Sequence, residues 1–319
     1  MDEVIRDVVM IGAGPSSLAA AVYTTRENID TVLYEKGAIG GLAAITDMVD
    51  NYPGFPDGIE GLTLASQLEK QARRFGANIE FGSVSAIRDE GDVKVVTIDG
   101  NEVRAKTVLI ATGSDYNKIG VPGEAEYYGR GVHYCATCDG AFYRNKRLAV
   151  VGGGNSAVQE AIFLTRFASH IDLLVRSTVK ASGVLKTDLQ RMIDEGKISV
   201  HEQTATDEIA AFEGKVTSVK ATKDGLPLTF DIDGVFIFVG LKPNTQFLAG
   251  SGIELDEQGL IKTDNKLQTN LPGIFASGDV RSGATMQIAS AVGEGATAAL
   301  SIREYFDEQR QAKLDNKPL

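Results

Sequence analysis

The decapeptide Val8–Ser17, VVMIGAGPSS, carries the most informative structural pattern of this chain. Its four apolar residues predict a buried strand, Gly12-Ala13-Gly14 predicts a tight turn, and the alanine-rich run Leu18–Tyr23 predicts a helix. This order is typical of a dinucleotide turn: the first glycine permits the turn, the second lets a pyrophosphate approach the backbone, and the helix N-terminus faces the anion. The third position of the pattern is Ser17, where glycine or alanine is usual.

The same pattern returns in Leu148–Ala157, LAVVGGGNSA, and the apolar run Val158–Leu164 follows it. Each copy precedes a second apolar stretch, Thr31–Tyr34 in the first and Ile171–Val175 in the second. Each copy therefore predicts a βαβ unit with a parallel sheet. The internal duplication predicts an α/β fold with two nucleotide-binding domains.

The residues that end the two second strands differ in charge. Glu35 lies 23 residues after Gly12, where a carboxylate accepts hydrogen bonds from ribose hydroxyls. Arg176 stands at the corresponding place of the second copy, with Lys180 nearby, and a cation there favours a phosphorylated ribose. The alternative is that both cations are ordinary solvated surface residues.

The only two cysteines of the chain occur together in Cys135–Asp139, CATCD, just ahead of the second turn. Two cysteines separated by two residues can close a small disulfide, and a neighbouring helix or acid can tune the reactive thiol. Two alternatives remain, a zinc site that includes His133 and a pair of buried structural cysteines. A closed zinc site needs a fourth ligand, and the other histidines lack ligand-like spacing, so the pattern favours a redox pair.

Two short segments place small residues where a predicted strand ends, Ala111-Thr112-Gly113 and Gly278-Asp279. Ligands of doubly wound sheets gather at the carboxyl ends of strands, so both segments are candidates to contact the dinucleotide bound at Gly12. The alternative is that both are ordinary turns.

The remaining pattern predicts short elements around these motifs. A helix is expected over residues 62–75, a hairpin turn at Asp99-Gly100-Asn101, and strands near 198–201, 216–222 and 235–239. A helix over 287–306 precedes a polar tail, residues 307–319, that we expect to fray.

Length and charge restrict the classes of protein to which this chain can belong. A chain of 319 residues suggests about two domains at roughly 150 residues each. The net charge of −11 disfavours nucleic acid or an anionic membrane as the main partner, because both require a basic surface. The chain opens with acidic residues and has no apolar run long enough to span a membrane, which predicts a cytoplasmic protein.

Two dinucleotide turns with CATCDG ahead of the second resemble the low-molecular-weight thioredoxin reductases, class II of the FAD-dependent pyridine nucleotide-disulfide oxidoreductases. The resemblance runs from about Val8 to Tyr305 and rests on six motifs: Gly12-Ala13-Gly14-Pro15, Asn51-Tyr52-Pro53-Gly54, Ala111-Thr112-Gly113, Cys135–Gly140, Gly152–Ala157 and Gly278-Asp279-Val280. The CATCDG stretch disfavours the ferredoxin-NADP reductases of similar size, which lack these cysteines.

The resemblance implies two Rossmann-like domains of three-layer ββα form, the second inserted into the first. Residues 1–116 and 247–319 would form the FAD-binding domain, and residues 117–246 the inserted NAD(P)H-type domain that carries the cysteines. It also implies a homodimer that passes two electrons from NADPH through FAD and the cysteine pair to thioredoxin or a thioredoxin-like protein.

The resemblance assigns roles to residues of this chain. Cys135 and Cys138 would form the redox disulfide, and Asp139 would carry the proton. The implied FAD contacts are Gly12, Gly14, Pro15, Ser16, Glu35, Gly41, Asn51, Val84, Ala111, Thr112, Gly113, Gly278, Asp279, Gln287 and Ile288. The implied NADP contacts are Gly152, Gly154, Asn155, Ser156, Ala157, Arg176 and Lys180, and no metal is expected.

Departures from the family pattern bear on the electron donor. NADPH-dependent members carry His-Arg-Arg and a further Arg after the second strand of the inserted domain, where this chain has Val175, Arg176, Ser177 and Ala181. One arginine of three remains, so reduced ferredoxin or another flavoprotein is the alternative donor. A second alternative, from another class, is a zinc-stabilised nucleotide-binding or sensor module without turnover.

Overall fold

The computed structural model of the chain describes residues 4–46 and 48–315. The chain divides into two compact units. The first unit comprises Met1–Asp115 and Lys242–Leu319, and the second comprises Tyr116–Leu241. The assignment of one unit to FAD and the other to NADPH stays a prediction.

The helices are α1 (Pro15–Arg26), α2 (Gly41–Ala44), α3 (Gly61–Arg74), α4 (Ala136–Asp139), α5 (Asn155–Leu164), α6 (Gly183–Asp194) and α7 (Ile288–Asp315), with 3-10 turns at Gly140–Tyr143 and Gln246–Leu248. The strands are β1 (Ile5–Ile11), β2 (Thr31–Glu35), β3 (Met48–Val49), β4 (Ile59–Glu60), β5 (Asn78–Phe81), β6 (Val84–Asp89), β7 (Lys94–Ile98), β8 (Asn101–Ile110), β9 (Ser114–Tyr116), β10 (Val132–His133), β11 (Arg147–Val151), β12 (His170–Leu174), β13 (Ile198–His201), β14 (Thr204–Phe212), β15 (Lys215–Lys223), β16 (Leu226–Asp231), β17 (Gly234–Ile237), β18 (Leu241–Pro243) and β19 (Ile274–Ala276).

The first unit is built on a parallel sheet of order β5-β2-β1-β8, and β19 also pairs with β8 in parallel. Strand β8 pairs with β1 along one edge and is long enough to pair with two further strands along the other. Its first half pairs antiparallel with β7, which pairs with β6, and its second half pairs with β19. The predicted hairpin at Asp99-Gly100-Asn101 is therefore confirmed.

Alternating side chains bury both faces of this sheet. On one face Val8 and Met10 of β1 share a core with alanines of α1 and α7. On the other face Val9 and Ile11 pack against Val96 of the β6–β8 antiparallel layer. The period of two along the strand thus produces a helix layer, a parallel sheet and an antiparallel layer.

The second unit repeats this plan. Its parallel sheet has the order β10-β17-β11-β12-β13, and β14-β15-β16 form an antiparallel sheet. Val150 of β11 faces the core that includes α5 and α6 side chains, whereas Val151 faces Ile209 and Val219 of the antiparallel sheet. The predicted α/β fold with two Rossmann-like units is confirmed.

The C-terminal prediction was partly wrong. Helix α7 begins at Ile288 and continues to Asp315, so residues 307–315 are helical where a frayed tail was expected. The segment is rich in Glu, Gln, Arg, Lys and Ala, which are good helix formers, and Lys266 lies 3.1 Å from Glu304 and 3.8 Å from Glu308. The last part of that expected tail, residues 316–319, lies outside the described residues.

No helix in the described ranges 4–46 and 48–315 is both long and apolar enough to cross a membrane.

Candidate functional site

The first glycine turn has the geometry expected of a dinucleotide site. Gly12 has φ +95°, and a Cβ added there would lie 2.6 Å from the carbonyl oxygen of Ala111, so only glycine suits this position. Its amide donates to Tyr34 O at 2.8 Å, which ties the turn to the end of β2. Ser17 stands at the third position, where glycine or alanine is usual, and donates its hydroxyl to Gly12 O at 2.5 Å.

Helix α1 presents its N-terminus to this turn without a side-chain cap. Gly14 is the N-cap residue and Pro15 occupies the first helical turn. A Cβ on Gly14 would meet no atom within 4 Å, so the space beside it is open. Unpaired N–H groups and the helix dipole make such an end an anion site, which suits a pyrophosphate.

Glu35 ends β2 beside the same turn and is half-buried. Its Oε2 accepts from Ala13 N at 2.7 Å and its Oε1 accepts from Gly37 N at 2.8 Å. These two backbone bonds fix the carboxylate in place and leave each oxygen a further lone pair. The structure therefore places the Glu35 carboxylate beside the Gly12 turn, and its contact with a ribose hydroxyl stays a prediction.

The end of β19 meets the start of α1 through buried side chains. Ser16 Oγ lies 2.6 Å from Ser277 Oγ, and either hydroxyl can be the donor. Glu294 of α7 accepts from Gly278 N at 2.8 Å and from Arg281 NH2 at 2.6 Å. Sequence reasoning missed Ser277, Arg281 and Glu294. The available signal was an acid inside the otherwise small and apolar run 288–300.

Asp279 follows that strand end, and its backbone carbonyl accepts from Ser114 Oγ at 2.5 Å. Burial, with a further contribution from the charge of Glu294, raises the pKa of Asp279 to about 6. A carboxyl with this pKa exchanges a proton close to neutral pH, so it can act as a donor or an acceptor toward a polar ligand group.

Other predicted FAD contacts are distributed around this region. Asn51 Nδ2 donates to Gln287 Oε1 at 3.0 Å, so the structure brings two of them together. Thr112 Oγ1 donates to Asn244 O at 2.8 Å, a contact that sequence reasoning missed. Gly41 begins α2 close to Gly14, since a Cβ on Gly41 would lie 3.8 Å from the Gly14 Cα. The rest are placed as follows: Ala111 and Gly113 after β8, Ile288 at the start of α7, and Val84 at the start of β6, packed against the core of the antiparallel side.

The second glycine turn has the same backbone shape, but different side chains surround it. Gly152 has φ +142° and donates its amide to Leu174 O at 3.0 Å. Gly154 is the N-cap of α5, again without a side-chain cap, and Ala157 is fully buried beneath the turn. The uncapped end of α5, with Ser156 exposed on it, is a second candidate anion site.

The loop after β12 is attached to this turn by its own backbone. Lys180 N donates to Gly153 O at 2.7 Å, and Ser182 N donates to Asn155 Oδ1 at 2.8 Å. Arg176 and Lys180 carry exposed side chains, whereas Val175 and Ala181 are 2% and 7% exposed. Arg176 and Lys180 are therefore the accessible cations among the predicted phosphate-binding positions.

Cys135 and Cys138 form a disulfide with a Cα–Cα distance of 5.3 Å. Cys135 is the N-cap residue of α4, and its Sγ accepts from Cys138 N at 3.2 Å. Asp139 N donates to Cys135 O at 3.2 Å, so the acid lies in the same turn as the disulfide. Ala136 is buried in the core that α5 shares, which fixes this turn to the body of the second unit.

The zinc alternative has no geometric support among residues 4–46 and 48–315. No group of three or more His, Cys, Asp or Glu side chains is arranged there to hold a metal ion. His133 instead directs its ring nitrogens to Asp139 and Tyr143.

The residues of the first unit fit FAD. The uncapped end of α1 suits its pyrophosphate, the open space at Gly14 admits that group, and the carboxylate of Glu35 suits a ribose hydroxyl. When bound, FAD supplies a carrier that accepts two electrons as a hydride equivalent and passes them to a disulfide.

Comparison with known proteins agrees with this chemistry. The model of the pyridine nucleotide-disulphide oxidoreductase family matches residues 6–295. A thioredoxin reductase of Listeria innocua is 42% identical over 314 residues, which cover 98% of this chain and 97% of that protein. A thioredoxin reductase of Bacillus subtilis is 42% identical over 313 residues, 97% of this chain and 98% of that protein. The crystal structure of thioredoxin reductase from Streptococcus pyogenes superposes with a TM-score of 0.91 at 39% identity and covers 96% of this chain and 100% of that one. The chain belongs to the pyridine nucleotide-disulphide oxidoreductase family and is a FAD-dependent oxidoreductase with a cysteine-pair disulfide.

Proposed function

We propose that the protein is a thioredoxin reductase, which passes two electrons from NADPH through FAD and the Cys135–Cys138 disulfide to thioredoxin or a thioredoxin-like protein. The observation that carries the proposal is the disulfide itself, closed in one turn with Asp139 and joined to the second glycine turn through β11. The named relatives support the identity of the partner.

The chemistry of the cysteines follows from thiol exchange. In the reduced pair, one cysteine loses its proton and attacks the partner's disulfide, forming a mixed disulfide and expelling one partner sulfur as thiolate. The other cysteine then attacks the mixed disulfide, which re-forms the Cys135–Cys138 bond and releases the second partner sulfur. Two protons leave the pair and two reach the partner, in step with two electrons.

Asp139 is the proposed carrier of these protons. It is adjacent to Cys138 in the chain, and its backbone amide is held by Cys135 O. A carboxylate in this position takes the proton of the attacking thiol and returns it to the leaving sulfur.

The remaining assignments complete the proposal. The first unit binds FAD through the residues around Gly12, and the second binds NADPH at the Gly152 turn with Arg176 and Lys180 on the ribose phosphate. We place the protein in the cytoplasm as a homodimer. The alternative donor, reduced ferredoxin or another flavoprotein, rests on Ser177 and Ala181, which stand where NADPH-dependent members carry arginine.

Cys138→Ser tests the disulfide step. We expect reduction of thioredoxin to be abolished while the purified variant stays yellow, because the cysteine turn lies outside the residues proposed for FAD. Cys135→Ser is the matched control and should have the same phenotype, since a single cysteine cannot complete the exchange. Turnover retained by either variant would contradict the proposal.

An anaerobic titration separates the two donors. Bleaching of the flavin band by NADPH, and slower bleaching by NADH, is expected if Arg176 and Lys180 bind the phosphorylated ribose. Bleaching by dithionite but by neither nicotinamide nucleotide would favour a protein donor.

A further inference from the structure

His133 is a buried histidine beside the redox pair that the proposed function does not use. It ends β10, and its residue is 6% exposed. In the parallel register it pairs with Phe236 of β17, and its ring stacks on Phe236 with centroids 5.1 Å apart. This places the imidazole on the face of the sheet that carries the helices and the cysteine turn.

Both ring nitrogens of His133 face polar groups. Nε2 lies 2.7 Å from the hydroxyl of Tyr143, and Nδ1 lies 3.3 Å from Oδ2 of Asp139. The Tyr143 ring lies where a Cβ of residue 234 would stand, so Gly234 makes room for it. The three side chains therefore form an ordered row that ends at the acid next to Cys138.

The surroundings decide which nitrogen carries the proton. Burial, together with the charges of Asp139 and Asp233, raises the pKa of Tyr143 well above its usual value. Tyr143 thus keeps its hydrogen, and its hydroxyl can donate to Nε2 or accept from it. The partner at Nδ1 settles the tautomer: the Asp139 carboxylate can only accept, so Nδ1 carries the hydrogen that faces it, and Nε2 accepts from Tyr143.

Other ionisable groups around this row include a tyrosine, a carboxylate and a lysine. Burial and the charge of Asp139 raise the pKa of Tyr128. Asp233, the second carboxylate that acts on Tyr143, lies 3.2 Å from Lys146 and accepts from Arg147 N at 2.9 Å. From β17 the neighbour is the apolar ring of Phe236.

We propose that His133 is a positioning residue for Asp139: its Nδ1–H, fixed by the hydroxyl of Tyr143 at Nε2, orients the carboxylate for proton transfer at the Cys135–Cys138 pair. This inference rests on the proposed function, because the protons are those of the thiol exchange described above. His133 neither gains nor loses a proton in the overall reaction. It acts through the carboxylate.

Two substitutions distinguish the roles of the two ring nitrogens of His133. In His133→Asn the amide nitrogen can occupy the place of Nδ1, whereas in His133→Gln it can occupy the place of Nε2. We expect His133→Gln to lower kcat for reduction of thioredoxin about tenfold, less than the hundredfold or more expected for loss of the proton carrier itself. His133→Asn should stay within about twofold of wild type, because it restores a donor toward Asp139.

The KM for the disulfide should not change in either variant, since His133 is not proposed to touch the substrate. The pH profile of kcat should move in His133→Gln, which a purely structural role would not produce. Equal kcat in the Asn and Gln variants, or an unaltered pH profile, would overturn the inference. His170→Asn, which changes another histidine of the same unit, is the matched control and should leave kcat and its pH profile unchanged.

A second measurement does not depend on activity. Long-range proton–nitrogen NMR of the three histidine rings in the oxidised holoenzyme reports the tautomer of each, and His133→Asn identifies the signal that belongs to His133. We expect the Nδ1–H tautomer of His133 in wild type. In Tyr143→Phe, which keeps the ring and removes the hydroxyl, this tautomer should no longer be preferred. An Nε2–H tautomer in wild type would overturn the inference. If the wild-type protein did not reduce disulfides, the proposed function would be wrong. The NMR measurement would still show whether His133 presents Nδ1–H to Asp139.

Discussion

The two glycine turns share a backbone and differ in charge. In both, a glycine with positive φ, Gly12 or Gly152, follows a buried strand, and a Cβ at that position would clash with the backbone. The helix after each glycine turn begins without a side-chain cap. At the first turn a carboxylate, Glu35, is fixed by two backbone amides. At the second, the loop with exposed Arg176 and Lys180 is fixed to the turn instead.

This difference shows that the turn shape and the ligand preference are separate properties. The shape is set by glycines and by small buried residues, and it supplies a general anion site at a helix N-terminus. The preference is set one strand later, where a carboxylate suits a free ribose and cations suit a phosphorylated one. Substitutions in the two parts should therefore have different consequences.

The largest effect is expected from substitutions that destroy the turn shape. Gly12→Ala places a Cβ 2.6 Å from Ala111 O at φ +95°, a conformation that alanine rarely adopts. We expect it to lower the free energy of unfolding of the first unit by about 4 kcal/mol or to prevent folding. Thermal unfolding followed by circular dichroism and the FAD content after purification measure this effect.

Gly14→Ala is the matched control in the same turn. Its Cβ would meet no atom within 4 Å, so the fold should survive with a change of about 1 kcal/mol or less. The added methyl group points into the open space proposed for the pyrophosphate, so FAD affinity should still fall. Equal loss of stability in both alanine variants would contradict the separation of shape from binding.

An intermediate effect is expected at the acidic first site. Burial raises the pKa of Asp279 from 3.8 to about 6, so the folded protein binds this proton more tightly than the unfolded chain does. The stability contributed by the protonated carboxyl is complete below 3.8 and is lost as the pH rises to about 6. The loss amounts to roughly 3 kcal/mol at about 1.4 kcal/mol per pH unit.

Asp279→Asn removes this titration. In flavin-free protein, the variant should gain stability relative to wild type as the pH rises across that interval, and urea unfolding at a series of pH values measures the difference. A difference that stays constant with pH would show that Asp279 does not carry the raised pKa. The titration of Asp279 would then not distinguish the first site from the second.

Much of the fold was predictable because it depends on local pattern. The runs before Gly12 and Gly152 alternate across two buried faces, and the glycines after them have strict steric requirements, so strand, turn and helix follow from sequence alone. The continuation of α7 to Asp315 was not predicted, because a polar composition alone does not distinguish a solvated helix from a frayed tail.

The site was predictable only where a residue lies in a motif. Glu294 contacts Gly278 and Arg281 across the fold, and no spacing in the sequence connects these positions. His133 was singled out for its place before the cysteines, but the zinc interpretation ignored Tyr143, whose approach depends on Gly234 in another strand. Contacts between residues so far apart in the sequence can be identified only from the tertiary structure.

The smallest effect is expected from the cations at the second turn, and it tests the comparison most directly. Arg176→Ala should raise the KM for NADPH about tenfold and Lys180→Ala about threefold, because a guanidinium can make paired bonds to a phosphate and an ammonium cannot. Neither should change kcat or the KM for NADH, since NADH lacks the phosphate. Lys215→Ala, another exposed cation of the same unit, is the control for a general charge effect. An equal rise in KM for both nucleotides would mean that Arg176 and Lys180 support the loop rather than bind the phosphate, and the charge difference between the two turns would then carry no donor preference.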